Sequence, residues 1–122
     1  MVGSVKPYLV RGLYQWIIDN KFTPYLLVDC SYQDLKLPKY FLEQDEVILN
    51  ISETAVKDLV IDNEFIGFSA RFEEQSFDVF IIMDSIKSIY AYENNEGMWF
   101  ETNSKEEFAK NNVEQKSNLR LV

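Results

Sequence analysis

The chain has 122 residues, a length typical of one domain, and 47% of them are hydrophobic. It has no histidine and a single cysteine, Cys30, which excludes Ser-His-Asp and Cys-His triads, zinc sites of the common Cys/His type and an internal disulfide, so the composition disfavours an enzyme. The 20 acidic residues outnumber the 12 basic ones, and this net charge of −8 argues against a general nucleic-acid-binding protein, because phosphate contacts need a clustered cationic surface.

The first predicted element is an apolar helix over residues 8–20, directly after Pro7. Proline suits the first turn of a helix, because its missing N–H needs no partner there. Leu9, Leu13 and Trp16 fall on one face at the spacing i, i+4 and i+7. Neighbouring apolar residues widen the apolar arc to roughly 200°, whereas a helix with one exposed side shows a stripe of about 100°. The helix is therefore expected to be covered on two sides, either by a second copy in a homodimer or by deep burial in a single core.

After this helix, everything up to Phe100 is predicted to form short strands. Apolar and polar residues alternate in several of these segments, and polar turn signals separate them. Many short strands at close spacing favour a small antiparallel barrel or a curled sheet, because closure limits exposed edges. The predicted class is therefore mainly β within α+β, an N-terminal helix followed by a small barrel. The strands are predicted over residues 25–30, 46–50, 58–61, 65–72, 75–82, 88–92 and 98–100.

The C-terminal part of the chain differs in composition from the rest. Residues 1–100 hold 16 acidic and 8 basic residues and thus the whole net charge, whereas residues 101–122 hold four of each. Residues 102–118 are almost wholly polar and are predicted to form a flexible linker, because they bury too little apolar surface to offset their ordering entropy. The last four residues turn apolar again, so they are expected to dock either on this domain or on another protein.

The segment 65–72 carries the most specific local feature of the chain. Two small residues, Gly67 and Ala70, stand among aromatic ones, beside the cation Arg71. Small residues on a strand mark either a close approach by another backbone or a tight bend in ordinary barrel packing. The first interpretation predicts a groove floored by small residues, in which Arg71 is available to an acidic ligand. Its predicted walls are Phe68, Ile48 and Leu59.

Six segments stand in an order and at spacings that together are highly specific. They are K-P-Y-L-V-R at 6–11, F-T-P-Y-L-L-V-D at 22–29, V-I-L-N-I-S at 47–52, F-S-A-R-F at 68–72, I-Y-A-Y-E-N at 89–94 and M-W-F-E at 98–101. With the terminal L-R-L-V, they resemble the SspB family of bacterial adaptors, which hand tagged substrates to the ClpXP protease. Ser69, Tyr92, Asn95 and Trp99 depart from the family pattern of Asn, Arg, Gly and Met, so a shifted peptide preference is expected.

The resemblance implies an Sm-like or SH3-like barrel preceded by a dimer-forming helix, with the domain over residues 1–101. It implies a non-enzymatic adaptor that binds ssrA-tagged polypeptides in a groove and delivers them to ClpXP. The implied groove residues are Ile48, Asn50, Ile51, Leu59, Phe68, Ser69, Ala70, Arg71, Phe72, Tyr90, Met98 and Trp99. The implied homodimer interface comprises Leu9, Leu13 and Trp16. The implied docking motif for the zinc-binding domain of ClpX is Leu119, Arg120, Leu121 and Val122.

The expected setting is the cytoplasm, with no cofactor, no bound metal, no membrane and no direct contact with nucleic acid. The ribosome is a further candidate partner, because the ssrA tag marks products of stalled ribosomes. The alternative function is an Sm-like RNA-binding module, since small barrels of this shape often bind RNA. Arg71 is the only Arg or Lys between Lys57 and Lys87, which argues against the cationic face that such a module needs.

Overall fold

The computed structural model describes residues 3–102, which form two helices, seven strands and a 3₁₀ turn. No helix in this part of the chain is long and apolar enough to cross a membrane. The helices are α1 (Lys6–Asp19) and α2 (Lys39–Leu42), and the 3₁₀ turn is Met83–Ser85. The strands are β1 (Pro24–Asp29), β2 (Glu46–Asn50), β3 (Val56–Ile61), β4 (Phe65–Phe72), β5 (Gln75–Ile82), β6 (Ile86–Ala91) and β7 (Gly97–Trp99).

The strands form two antiparallel sheets. The first sheet has the order β2-β1-β6-β7 and the second sheet has the order β3-β4-β5. The loop after β1 reaches the second sheet, where Lys36 and Phe80 exchange backbone hydrogen bonds of 2.8 and 3.0 Å. Among residues 3–102, no strand pairing joins β2 to β3 or β4. The mainly-β α+β class predicted from the sequence is confirmed, and its strands lie in two facing sheets.

The core lies between the sheets and under α1. In the first sheet, Leu26 pairs with Leu49 on one side and with Ile89 on the other, so all three side chains point to the same face. Ile66 and Ile81 form the equivalent pair of the second sheet. All five are buried, and β-branched residues suit such a pleated surface.

Helix α1 covers the core with one side only. Val10 and Ile17 are fully buried, whereas Tyr8 is 60% exposed. The side chains of the predicted dimer face lie on the less buried side: Leu9 and Leu13 are half-buried and Trp16 is 37% exposed.

One prediction about local structure was wrong. The region from residue 25 to Phe100 is not composed of strands alone, because α2 and the 3₁₀ turn interrupt it. A single helical turn is too short to show a 3.6-residue period, so the pattern could not reveal it. Strand β3 begins at Val56, two residues before the predicted start at residue 58. Its pairing with β4 continues across a register shift between Lys57 and Val60, where Asp58 takes a left-handed conformation (φ 56°). The other boundaries differ from prediction by two residues or fewer.

Candidate functional site

A cleft opens between the two sheets, where the edge of β2 faces the end of β4. Strand β1 pairs with one side of β2, and within residues 3–102 no strand pairs with its other side. Strand β3 leaves β4 at the pair Val56–Ala70, so Arg71 and Phe72 extend beyond β3 while they still pair with β5. Both sides of this inter-sheet cleft therefore offer backbone groups that no strand within the described residues uses.

The centre of the inter-sheet cleft is a cavity of about 200 Å³. It brings together six of the residues predicted from the sequence, and Ala70 is the smallest of these. The six are Ile48, Asn50, Phe68, Ala70, Arg71 and Phe72. Three further residues line the cavity and were missed: Phe41, Leu49 and Ala55. Phe41 packs edge-to-face on Phe72 with ring centroids 5.3 Å apart, and it was missed because α2, which carries it, was missed.

Two depressions continue the central cavity at its ends. The polar pocket, about 320 Å³, shares Ala55, Ala70 and Arg71 with the central cavity. Its remaining lining residues are Glu53, Thr54, Val56, Lys57, Ser69 and Ser76. The aromatic pocket, about 690 Å³, shares Phe41, Arg71 and Phe72 with the central cavity. Its remaining lining residues are Pro38, Lys39, Tyr40, Glu73, Gln75 and Phe77. The three spaces therefore adjoin one another around Arg71.

Arg71 borders all three spaces, and the β4–β5 hairpin holds it there. Its Nη2 donates a hydrogen bond of 3.0 Å to the carbonyl oxygen of Glu74. Glu73 and Glu74 form the two-residue turn of this hairpin, and both take left-handed conformations (φ 50° and 72°) that glycine or asparagine usually supplies. The bond to Arg71 thus braces a strained turn and leaves the other guanidinium donors available to the cleft.

Ser69 and Asp78 form a polar pair beside the cleft. The two residues face each other across β4 and β5, and the Ser69 hydroxyl donates a hydrogen bond of 2.6 Å to Asp78 Oδ1. Ser69 occupies a position where the sequence departs from the family pattern. Its hydroxyl proton is engaged, whereas its oxygen lone pairs remain able to accept a bond.

Several predicted groove residues lie outside the inter-sheet cleft. Leu59 lines a separate depression with Arg11 and Tyr14 of α1, and Ile51 is fully buried in the core. The remaining predicted residues lie on β6 and β7, which β1 separates from β2 in the first sheet. They are Tyr90, which packs edge-to-face on Tyr25, Met98, which is 36% exposed, and Trp99, which is 68% exposed.

Two further sequence features have a clear place. A Cβ atom on Gly67 would meet the Phe65 ring at 3.5 Å, and Gly67 does not line the cleft.

Cys30 is a buried free thiol, and burial together with nearby carboxylates raises its pKa to about 11. The thiol therefore stays protonated at neutral pH, and Cys30 packs in the core as a small apolar residue. The predicted docking motif at residues 119–122 lies outside the described residues.

The helix, the two facing sheets and the open cleft define a small α+β domain with strand edges available at its surface. Residues 4–120 match the family described as SspB: Stringent starvation protein B, and the chain belongs to this family of adaptor-type proteins. The stringent starvation protein B homolog of Haemophilus influenzae (strain ATCC 51907 / DSM 11121 / KW20 / Rd) is similar, with 42% identity over 96 residues. This match covers 79% of the chain and 64% of the relative, so the chain spans less than two thirds of that protein's length. The resemblance inferred from the six segments is confirmed.

Proposed function

We propose that the chain is a non-enzymatic cytoplasmic adaptor that binds the ssrA tag of polypeptides in the inter-sheet cleft and delivers them to the ClpXP protease. One observation carries this proposal: the edge of β2 and the end of β4 face each other across a cavity that contains Ala70. An extended peptide between two strand edges gains main-chain hydrogen bonds on both sides, and side pockets then select its side chains. Family membership supports the choice of ligand.

The test substitutes Ala70 by glutamine. A long side chain fills the cavity, so we expect a labelled ssrA peptide to bind at least tenfold more weakly, measured by fluorescence anisotropy. The matched control is Val60→Gln, because Val60 is a half-exposed β3 residue that lines none of the three spaces. Circular dichroism and thermal unfolding show whether each variant is folded. A folded Ala70→Gln variant that binds the peptide like the unsubstituted protein would refute the proposed cleft. An RNA oligomer titrated in parallel tests the alternative function.

The proposal includes tethering by the C-terminal segment. Deleting residues 119–122 is expected to leave peptide binding unchanged, while the faster degradation of tagged substrate by ClpXP is lost. The physical basis is effective concentration, because a tethered adaptor makes substrate transfer an intramolecular step. Undiminished acceleration after this deletion would show that these four residues are not the tether.

We also propose that α1 mediates a symmetric homodimer. The face that includes Trp16 is apolar and only partly covered, and a two-fold interface places the same patch opposite itself. Gly12 stands on the exposed surface of α1, where an added Cβ would meet nothing within 4 Å. Such a small residue permits the close approach of a second helix. Trp16→Glu is expected to shift the sedimentation coefficient from dimer to monomer, whereas Lys36→Glu, on the second sheet, is not.

A further inference from the structure

The first sheet has a face opposite to the core, and aromatic side chains cover much of it. Leu26 of β1 packs into the core, so its neighbours Tyr25 and Leu27 point to the opposite side. Paired residues share a face, so this outer face continues over β2, β6 and β7. The apolar residues of the outer face are Tyr25, Leu27, Ile48, Tyr90, Tyr92 and Trp99.

The aromatic side chains of the outer face are unusually exposed. Trp99 is 68% exposed and Tyr92 is 59% exposed, and the Tyr92 ring packs on Tyr25 with the centroids 4.8 Å apart. Gly97 pairs with Tyr90 and places no side chain over it, and an added Cβ atom would lie only 2.6 Å from the Tyr90 Cβ. Adjoining exposed apolar side chains of this kind are typical of a surface on which another segment docks.

The last residues that the structure describes lie along the outer face. After β7, the Phe100 backbone N–H donates a hydrogen bond of 2.7 Å to the carbonyl oxygen of Lys87. Thr102 Oγ1 then donates a hydrogen bond of 2.9 Å to the carboxylate of Asp29. Asp29 is two residues beyond Leu27 on β1, so the two side chains share the outer face. Thr102 therefore lies at one end of this face.

We propose that residues 119–122 of this chain, the sequence L-R-L-V, dock on the outer face of the first sheet. Alternate side chains of an extended segment point to the same side, so Leu119 and Leu121 can contact Tyr92 and Trp99 together. The inference goes beyond the proposed function and does not depend on the peptide cleft. The same four residues are the proposed tether, so the outer face and ClpX would compete for them.

Chain length and charge both favour this occupant. The 16 residues between Thr102 and Leu119 can span up to roughly 55 Å, whereas the outer face is about 15 Å wide from β2 to β7. A segment joined through so short a linker has a high effective concentration, so a small contact area suffices. Residues 88–104 contain three glutamates and no Arg or Lys, and Arg120 is the one charged residue of residues 117–122. The two parts of the chain therefore attract each other.

The experiment uses Trp99 as its reporter. The chain has two tryptophans, so Trp16→Phe leaves Trp99 as the only one. Acrylamide quenching of its fluorescence is compared between the 122-residue chain and a chain truncated after Asn118. Truncation should raise the quenching constant about twofold and shift the emission to longer wavelength, because it uncovers an apolar surface. A synthetic peptide of residues 115–122, added to the truncated chain at about 1 mM, should reverse both changes.

Matched variants separate docking from unrelated changes. Joint replacement of Leu119 and Leu121 by serine in the 122-residue chain should give the quenching of the truncated chain. Joint replacement of Ser117 and Asn118 by alanine should not.

On the outer face, Tyr92→Ser should raise the quenching of Trp99 more in the 122-residue chain than in the truncated chain. Tyr40→Ser, at a tyrosine that is 69% exposed on α2, should change the quenching in neither chain. Circular dichroism checks that each variant is folded.

Three results would overturn the inference. The first is equal quenching of Trp99 in the 122-residue and the truncated chains. The second is protection of Trp99 that persists after both leucines are replaced by serine. The third is protection that weakens on dilution, because the outer face would then be occupied by a second copy of the chain. None of these results concerns binding of the ssrA peptide, which the Ala70→Gln variant tests separately.

Discussion

The two sheets differ in how completely the protein buries them. In the first sheet, the central strands β1 and β6 are buried along most of their length, and Leu26, Val28 and Ile89 have no exposed surface. In the second sheet, burial alternates along β4 and β5, and β3 is largely exposed. The first sheet is therefore built for stability. The second sheet keeps one face for the core and leaves the other free, and this free face carries Lys57 and Ser69.

The polar groups of the two sheets follow the same division. Asp29 at the end of β1 is 5% exposed, and its carboxylate accepts hydrogen bonds from the Ser31 backbone N–H and from Thr102 Oγ1, both at 2.9 Å. Thr102, the first residue of the predicted linker, is itself buried. Asp78 on β5 is exposed, and its bond from Ser69 competes with water. A buried polar group needs its partners far more than an exposed one does.

The largest expected effect comes from truncating the centre of the first sheet. Leu26→Ala leaves a cavity between two fully packed strands, and it should lower the free energy of unfolding by about 2–5 kcal/mol. Val60→Ala, on the exposed strand of the second sheet, should change it by about 0.5 kcal/mol or less. Urea unfolding followed by circular dichroism measures both. Equal losses would mean that the two sheets contribute equally to stability, which would contradict the difference in burial as its explanation.

A smaller effect is expected from removing the buried carboxylate charge. Burial alone would raise the pKa of Asp29, but the bonds from Ser31 and Thr102 and the charge of Lys87 together lower it. The folded pKa lies below the unfolded value of about 3.9, so the stabilisation is complete above that pH and is lost as pH falls through the folded pKa. Asp29→Asn should cost about 1–3 kcal/mol at pH 7, and the difference from the unsubstituted protein should shrink in acid.

Asp78→Asn is the control for this measurement. Its hydrogen bond is exposed, so its removal should change the free energy of unfolding by about 0.5 kcal/mol or less at pH 7. A pH-independent cost of Asp29→Asn would show that the amide disturbs packing and that ionisation of the carboxyl group contributes nothing.

The same contrast explains which parts of the molecule the sequence could predict. Apolar residues recur at every second position along β4 and β5, and their predicted bounds, 65–72 and 75–82, match the structure. Side chains close in sequence to Ala70 were predicted for the cleft and line it, because a strand of known register fixes their faces. Phe41 and Lys57 were not assigned to the site, because their approach to β4 depends on a one-turn helix and on strand pairing across a register shift. Leu59, Tyr90, Met98 and Trp99 came from resemblance and strand position, and neither specifies distance from the cleft.

The last effect appears only in the pH dependence of stability and concerns Lys6, which links α1 to Phe100, the residue after β7. Its ammonium lies 5.2 Å from the centre of the Phe100 ring. Burial lowers the pKa of Lys6 to about 8, although Asp84 acts in the opposite direction. The folded state therefore releases this proton at lower pH than the unfolded state, whose lysine has a pKa of about 10.4. Between these two values the unfolded state binds more protons, so the contribution of Lys6 to stability rises with pH.

Lys6→Met isolates this contribution, because methionine keeps much of the apolar volume and cannot titrate. Urea unfolding at pH 7, 8, 9 and 10 should show the unsubstituted protein gaining stability relative to Lys6→Met as the pH increases. Tyr14 and Tyr90, whose pKa values are raised, destabilise both proteins alike at the alkaline end, and this effect cancels in the difference. Lys36→Met, at an exposed position of the second sheet, should run parallel to the unsubstituted protein. If the stability of Lys6→Met also changes with pH in parallel to that of the unsubstituted protein, the ammonium of Lys6 is solvated. The contact between α1 and Phe100 is then as exposed to water as the surface of the second sheet.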